Sequence, residues 1–227
     1  MIRAVIFDMY ETLITHYRSP LYFGAQMAED AGIAEEGFQA LWRSTEYDRT
    51  IGKLTFEEVV ENILRENRCY SGELVKKIVQ RRIETKEDCF KKIHEEIIPM
   101  LVQLKAKGIL IGLISNCFSE EAEVIRRSVL FPYFDAVYLS YEQGVQKPDK
   151  EIYKRCMADL GVRPEECLYI GDGGSNELEA ARTLGMKALQ AVWYLQEGTL
   201  QQTGRKAEFE QMERPMDILI YLTKERI

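Results

Sequence analysis

MLVQLKAKGILIGLIS, residues 100–115, reads as a helix that stops at Gly108 and a strand that begins directly after it. Glycine closes a helix in the left-handed conformation without steric cost, and ILIGLIS (109–115) is a short, β-branched, apolar run of the kind a strand buried on both faces requires. The same unit recurs downstream: helix 119–128, strand DAVYLS (135–140), helix 149–160 before Gly161, strand CLYIG (167–171), helix 176–184 before Gly185, and strand KALQAVW (187–193). Upstream, RAVIFD (3–8) is another apolar run that stops at an acidic residue. Strands alternating with helices predict βαβ units and an α/β core built on a mainly parallel sheet.

Between the first strand and the rest the pattern changes. From about residue 20 to 95, segments such as FEEVVENILREN and ELVKKIVQRRIE carry apolar residues at three- and four-residue spacing among many charges. Gly52 and Ser71-Gly72 punctuate this block into four expected helices, so a small helical bundle is inserted after the first strand. The segment 196–214 is polar and gives little signal, and Pro215 precedes a final short helix, MDILIYLTKE.

Composition narrows the chemistry. With 227 residues and 46% hydrophobic content the chain can bury a full core. No stretch is apolar enough to span a bilayer, and MIRAVIFDMY lacks the hydrophobic run of a signal peptide, so a cytoplasmic protein without a membrane partner is expected. Five cysteines without CxxC spacing suggest neither a disulfide framework nor a zinc site, but reduced, mostly buried thiols. Two histidines, His16 and His94, leave little material for a histidine-based hydrolase, so acid or base chemistry falls to carboxylates. A formal charge of −7 disfavours nucleic acid and favours a small-molecule substrate.

In parallel sheets ligands bind at the carboxyl ends of the strands. Those ends carry Asp8-Met9-Tyr10-Glu11-Thr12, Ser115-Asn116 and Gly171-Asp172, with Lys147-Pro148 just after the third strand. Two carboxylates, a hydroxyl and a cation are thereby expected to converge.

In this order FDMYETL, LISN, the lysine of VQKPDKEIY, and YIGDGGSNE resemble the four motifs of the haloacid dehalogenase superfamily, and they cover roughly residues 1–14 and 95–195. The resemblance implies a Rossmann-like three-layer core of residues 1–14 and 92–227, with residues 15–91 as a helical cap domain. It also implies a magnesium-dependent phosphatase acting on a small phosphorylated metabolite. Carried over residue by residue, Asp8 would attack phosphorus. Asp8, the main-chain carbonyl of Tyr10, and Asp172 would bind Mg²⁺, Ser115 and Asn116 would hold phosphoryl oxygens, and Lys147 would neutralise the remaining charge. Glu177 and Asn176 would support the metal from behind. Apart from the resemblance, Thr12 is a candidate substrate-binding residue, or one whose hydroxyl bonds local backbone.

Tyr10 departs from the pattern, because the family's phosphatases carry an acid–base Asp there. Tyr at that place is found in the metal-independent 2-haloacid dehalogenase branch, which lacks the metal-binding Asp and is the natural competitor. A binding protein with little turnover is a third reading. Glu11, where the family usually has glycine, is a candidate for the missing carboxylate. Arg49 and Lys53, flanking Gly52, are candidates for substrate contact from the cap. The remaining features read blandly: His16 as a solvent-facing linker residue, His94 as surface, Cys117 as a packed thiol, Asn176 and Glu179 as a capping box, and KKIVQRRIETKED (76–88) as an exposed helix face.

Overall fold

The computed structural model describes residues 1–196 and 203–224. Strand β1 (Ala4–Phe7) is followed by five helices, α1 (Gly24–Ala31), α2 (Glu35–Ser44), α3 (Glu46–Thr50), α4 (Phe56–Glu66) and α5 (Gly72–Lys91). The alternating part then runs α6 (Ile97–Ala106), β2 (Leu110–Ser115), α7 (Ser119–Arg126), β3 (Ala136–Leu139), α8 (Ser140–Gln143), α9 (Lys150–Leu160), β4 (Cys167–Gly171), α10 (Glu177–Thr183), β5 (Lys187–Ala191), β6 (Gln211–Met212) and α11 (Asp217–Lys224). All strand pairs are parallel, in the order β3-β2-β1-β4-β5-β6.

The α/β expectation holds because every residue of β1 and β4 is buried, as continuous apolar runs demand. Alternation along each strand assigns the two faces. Val5, Phe7, Ile111, Leu113, Leu168 and Ile170 pack under α6, α7 and α11, whereas Ala4, Ile6, Ile114, Cys167 and Tyr169 pack under α9 and α10. Burying each large apolar side chain contributes about 1.5–3 kcal/mol, so two helix layers clasping a central sheet supply most of the driving force. Gly112 faces α9, and a Cβ there would lie 3.0 Å from Cys156 Sγ and 3.1 Å from Ile6 Cγ1.

Two expectations are corrected. The insert holds five helices rather than four, because the chain restarts at Glu46 as α3 before Gly52. The polar segment after residue 195 contributes β6, a two-residue edge strand on β5, too short for any periodicity to declare it. Residues 197–202 of that segment, and Glu225 at the end of the expected last helix, lie outside the described residues.

The helices between β1 and β2 bury an apolar cluster of their own, including Tyr22, Met27, Phe38, Phe56, Val60, Ile63 and Ile78. Thr55 starts α4 with a reciprocal cap, its hydroxyl accepting from the Glu58 N–H at 3.1 Å while Glu58 Oε2 accepts from the Thr55 N–H at 2.7 Å. Gly52 ties this block to the sheet side: its φ is +76°, and a Cβ would stand 2.1 Å from the Tyr141 carbonyl oxygen. Only glycine allows that approach. Among the described residues no helix is long and apolar enough to cross a membrane.

Candidate active site

The strand order reverses around β1, whose neighbours are β2 and β4, and such a switch point opens a crevice at the carboxyl ends. The register pairs Phe7 with Ile170. The next residue, Asp8, donates its N–H to the Ile170 carbonyl at 2.9 Å, which brings it beside the chain leading into Asp172. Carboxylate oxygens of Asp8, Asp172 and Glu177 lie within 4.8 Å of one another. Lys147 Nζ stands 2.6 Å from Asp8 Oδ1, and both side chains are buried.

Each group is held by the elements around it. The Asn116 side chain clasps the main chain of Lys147, its Oδ1 accepting from the Lys147 N–H at 2.8 Å and its Nδ2 donating to the Lys147 carbonyl at 3.0 Å. Asp8 Oδ1 also accepts from the Met9 N–H at 2.7 Å. Asp172 accepts from Thr203 Oγ1 at 2.9 Å and from the Gly174 N–H at 3.1 Å, and Gln190 Nε2 donates to its carbonyl at 2.8 Å. Glu177 is fully buried, with one oxygen on the Gly173 N–H at 2.6 Å and the other on the Ser175 N–H at 2.7 Å. Ser115 Oγ is buried at the end of β2 and donates to the Asn116 carbonyl at 3.4 Å.

Charge is concentrated here at a cost. Burial, then the neighbouring Glu177 and Asp8, push the Asp172 carboxyl up to about 8. Burial also raises Asp8, against the opposing pull of Lys147. Three buried carboxylates facing one amine form a hard-oxygen donor set with excess negative charge, which fits a small divalent cation such as Mg²⁺.

The sequence-predicted residues divide. Asp8, Tyr10, Glu11, Asn116, Lys147 and Asp172 line one cavity of about 300 Å³, together with His16, Tyr17 and Thr203. Asn176 lines an adjoining cavity of about 590 Å³, which shares Asn116, Lys147 and Ser175 with the first. Tyr10 stacks on His16 with ring centroids 4.5 Å apart, and its hydroxyl is buried without a hydrogen-bond partner. Glu11 has φ +59°, and its carboxylate takes the Thr15 hydroxyl at 2.5 Å and the His16 N–H at 3.0 Å.

Arg49 and Lys53 are absent from both linings. Arg49 is buried between Trp42 and Phe118, 3.3 and 4.4 Å from their ring centroids, and donates to the Trp42 carbonyl at 2.8 Å. Lys53 is exposed and pairs with Asp48 at 3.1 Å. The Thr12 hydroxyl is buried without the local backbone bond expected of it, while the Thr12 carbonyl accepts from Trp193 Nε1 at 2.8 Å. Asn176 starts α10 at φ +52° with no side-chain cap, and Glu177 bonds the preceding N–H groups instead; Glu179 pairs with Lys206.

His16 is no solvent-facing linker residue: it bonds Glu11 at 3.1 Å and Lys86 Nζ at 2.5 Å, and burial beside Lys86 and Arg82 holds its pKa well below the usual value. Cys117 is a buried thiol that also lines the larger cavity. His94 is half-buried, its N–H donating to Tyr194 Oη at 2.6 Å. Sequence reasoning missed Gln190 and Thr203. The first left a trace, a polar residue inside the apolar run KALQAVW; Thr203 left none.

A family model for haloacid dehalogenase-like hydrolases matches residues 2–185. The chain is 26% identical over 204 residues to a glyceraldehyde 3-phosphate phosphatase of Methanopyrus kandleri, covering 82% of each chain. Among solved structures, a haloacid dehalogenase family enzyme of Bacteroides thetaiotaomicron in complex with magnesium and inorganic phosphate superposes with a TM-score of 0.64 at 20% identity, over 92% of this chain and 98% of that one. The L-2-haloacid dehalogenase of Xanthobacter autotrophicus superposes with a TM-score of 0.65 at 18% identity, over 98% and 99% of the two chains. With its parallel sheet, its helical insert after β1 and its strand-end carboxylates, the chain belongs to the haloacid dehalogenase-like hydrolases.

Proposed function

We propose that the protein is a magnesium-dependent phosphatase acting on a small phosphorylated metabolite, with Asp8 as nucleophile and residues 15–91 as the cap over the site. The observation that carries this reading is the gathering of Asp8, Asp172 and Glu177 within 4.8 Å beside Lys147. Asp8, Asp172 and the Tyr10 carbonyl would hold Mg²⁺, which when bound supplies the positive charge that lets an anionic ester approach a carboxylate. Glu177, with both oxygens committed to main-chain N–H groups, would steady the metal side from behind.

Asp8 attacks phosphorus and the alkoxide leaves, giving an aspartyl-phosphate that water then hydrolyses. The Lys147 ammonium, placed by the Asn116 clasp, balances charge on the phosphoryl oxygens, and Ser115 Oγ with the Asn116 N–H holds them in line. The named activity of the Methanopyrus relative supports phosphate ester hydrolysis. Five free thiols, four of them buried, suit a reducing cytoplasm.

Turnover of 4-nitrophenyl phosphate tests the reading. It is expected to require Mg²⁺, to stop on chelation, and to fall at least about a thousandfold in Asp8→Asn, which keeps the shape and removes the nucleophile. Tyr10 favours one competing reading, metal-independent dehalogenation. Chelator-insensitive halide release from a 2-haloacid, without phosphatase activity, would decide for it.

A further inference from the structure

Asp8, Lys147 and Asp172 line the smaller cavity, and the larger one adjoins it across Asn116, Lys147 and Ser175. A phosphate ester with its phosphoryl group at Asp8 therefore extends its alcohol part into the space of about 590 Å³. Cavities of about 300–1,000 Å³ take ligands well beyond a three-carbon skeleton.

Four charged side chains line that larger space, and two are already committed: Lys147 to Asp8, and Glu121 to Lys86 and Arg82. The other two, Arg43 and Glu46, come from α2 and α3. Among the arginines of α2 to α5, Arg49 stacks on Trp42, Arg65 pairs with Glu61, Arg81 with Asp30, and Arg82 with Glu120 and Glu121. Arg43 has neither a carboxylate nor an aromatic partner among the described residues, although helix α2 itself begins with Glu35 and Glu36. Beside it Tyr47 presents a 59% exposed ring to the same space.

We infer that the alcohol part of the substrate carries a carboxylate, and that Arg43 is the residue that reads it. The guanidinium presents a planar fork that matches a carboxylate in two parallel hydrogen bonds. Glu46 accepts from hydroxyl or amino groups of the same molecule, and the Tyr47 ring covers its carbon face. The substrate is thus a phosphate monoester of a polar hydroxy acid larger than three carbons. This rests on the phosphatase reading.

The test compares 6-phosphogluconate with sorbitol 6-phosphate, which differ only in a carboxylate against a hydroxymethyl group, with 4-nitrophenyl phosphate as reference. The wild type is expected to favour the acid about tenfold in kcat/KM, the modest value fitting an exposed guanidinium. Arg43→Gln should abolish that preference through KM of the acid, Arg43→Lys should restore part of it, and Arg65→Gln should leave it intact. Equal kcat/KM for the two esters in the wild type, or a preference that survives Arg43→Gln, overturns the inference while the 4-nitrophenyl phosphate rate upholds the reaction. Loss of all three activities in the wild type overturns both.

Discussion

Tyr10 is the residue at which this chain departs from the phosphatase pattern, and its surroundings show what the departure costs. The ring lies flat on His16 with Lys86 Nζ 5.0 Å from its centroid, so the side chain packs against the insert and delivers no carboxylate. If proton transfer to the leaving group limits the rate, Tyr10→Asp should raise kcat for alkyl phosphates by about tenfold or more and leave 4-nitrophenyl phosphate, whose leaving group needs no proton, within about twofold. Equal effects on both esters would exclude that explanation. Asp172 gives a pH prediction whose sign follows from proton counting. Its folded value of about 8 exceeds the usual 3.8, so between those limits the metal-free folded state binds more protons than the unfolded chain and loses stability as pH rises. Magnesium binds the ionised carboxylate, so the increase in Tm on adding it should grow from pH 5 to pH 8. Asp172→Asn should flatten that growth, and an unchanged dependence in thermal melts of the variant would count against the assignment.

Among the elements, α5 shows where reading by pattern fails. KKIVQRRIETKED looks like a solvated face, yet Arg82 and Lys86 are buried against α7 of the sheet side. Arg82 pairs with Glu120 at 3.0 Å and Glu121 at 3.2 Å and donates to the Tyr22 carbonyl at 2.7 Å, while Lys86 pairs with Glu121 at 2.6 Å. Charges of this kind are tolerated in the interior only as a complete set. Arg82→Met should therefore destabilise the protein by about 3–5 kcal/mol in urea titrations, because it strands buried carboxylates. Replacing Arg82 and Glu120 together should cost less than the single change. A purely additive result would mean that the pair is not coupled. No one-dimensional pattern could distinguish these two cations from Lys77 and Arg81, which face solvent on the same helix and bind Asp30. The difference lies in α7, which packs on one side of α5 and not the other.

At the scale of the whole molecule, the sheet and its ligand edge were legible because each rests on local physics. Runs such as RAVIFD and CLYIG must be buried on both faces, and the polar residues that end them must fall on one rim; Asp8, Ser115, Asn116, Lys147 and Asp172 could be placed there from sequence alone. The helical insert was equally plain from its periodicity. Which insert residue meets the rim was not, because that depends on how two separately packed clusters are set against each other. Arg49 and Lys53 were expected at the cavity from their place beside Gly52, whereas Arg43, Glu46, Tyr47 and Thr50 line it. Gly52 does make the close approach, but to the Tyr141 carbonyl, while Arg49 lies between two aromatic rings. The sequence by itself determined the layered core and the chemistry along its edge, since burial and chain direction are properties of each segment. Only the tertiary structure decided the Asn116 clasp on Lys147, the Glu177 cradle and the choice of Arg43, since each depends on distances between segments that no local pattern encodes.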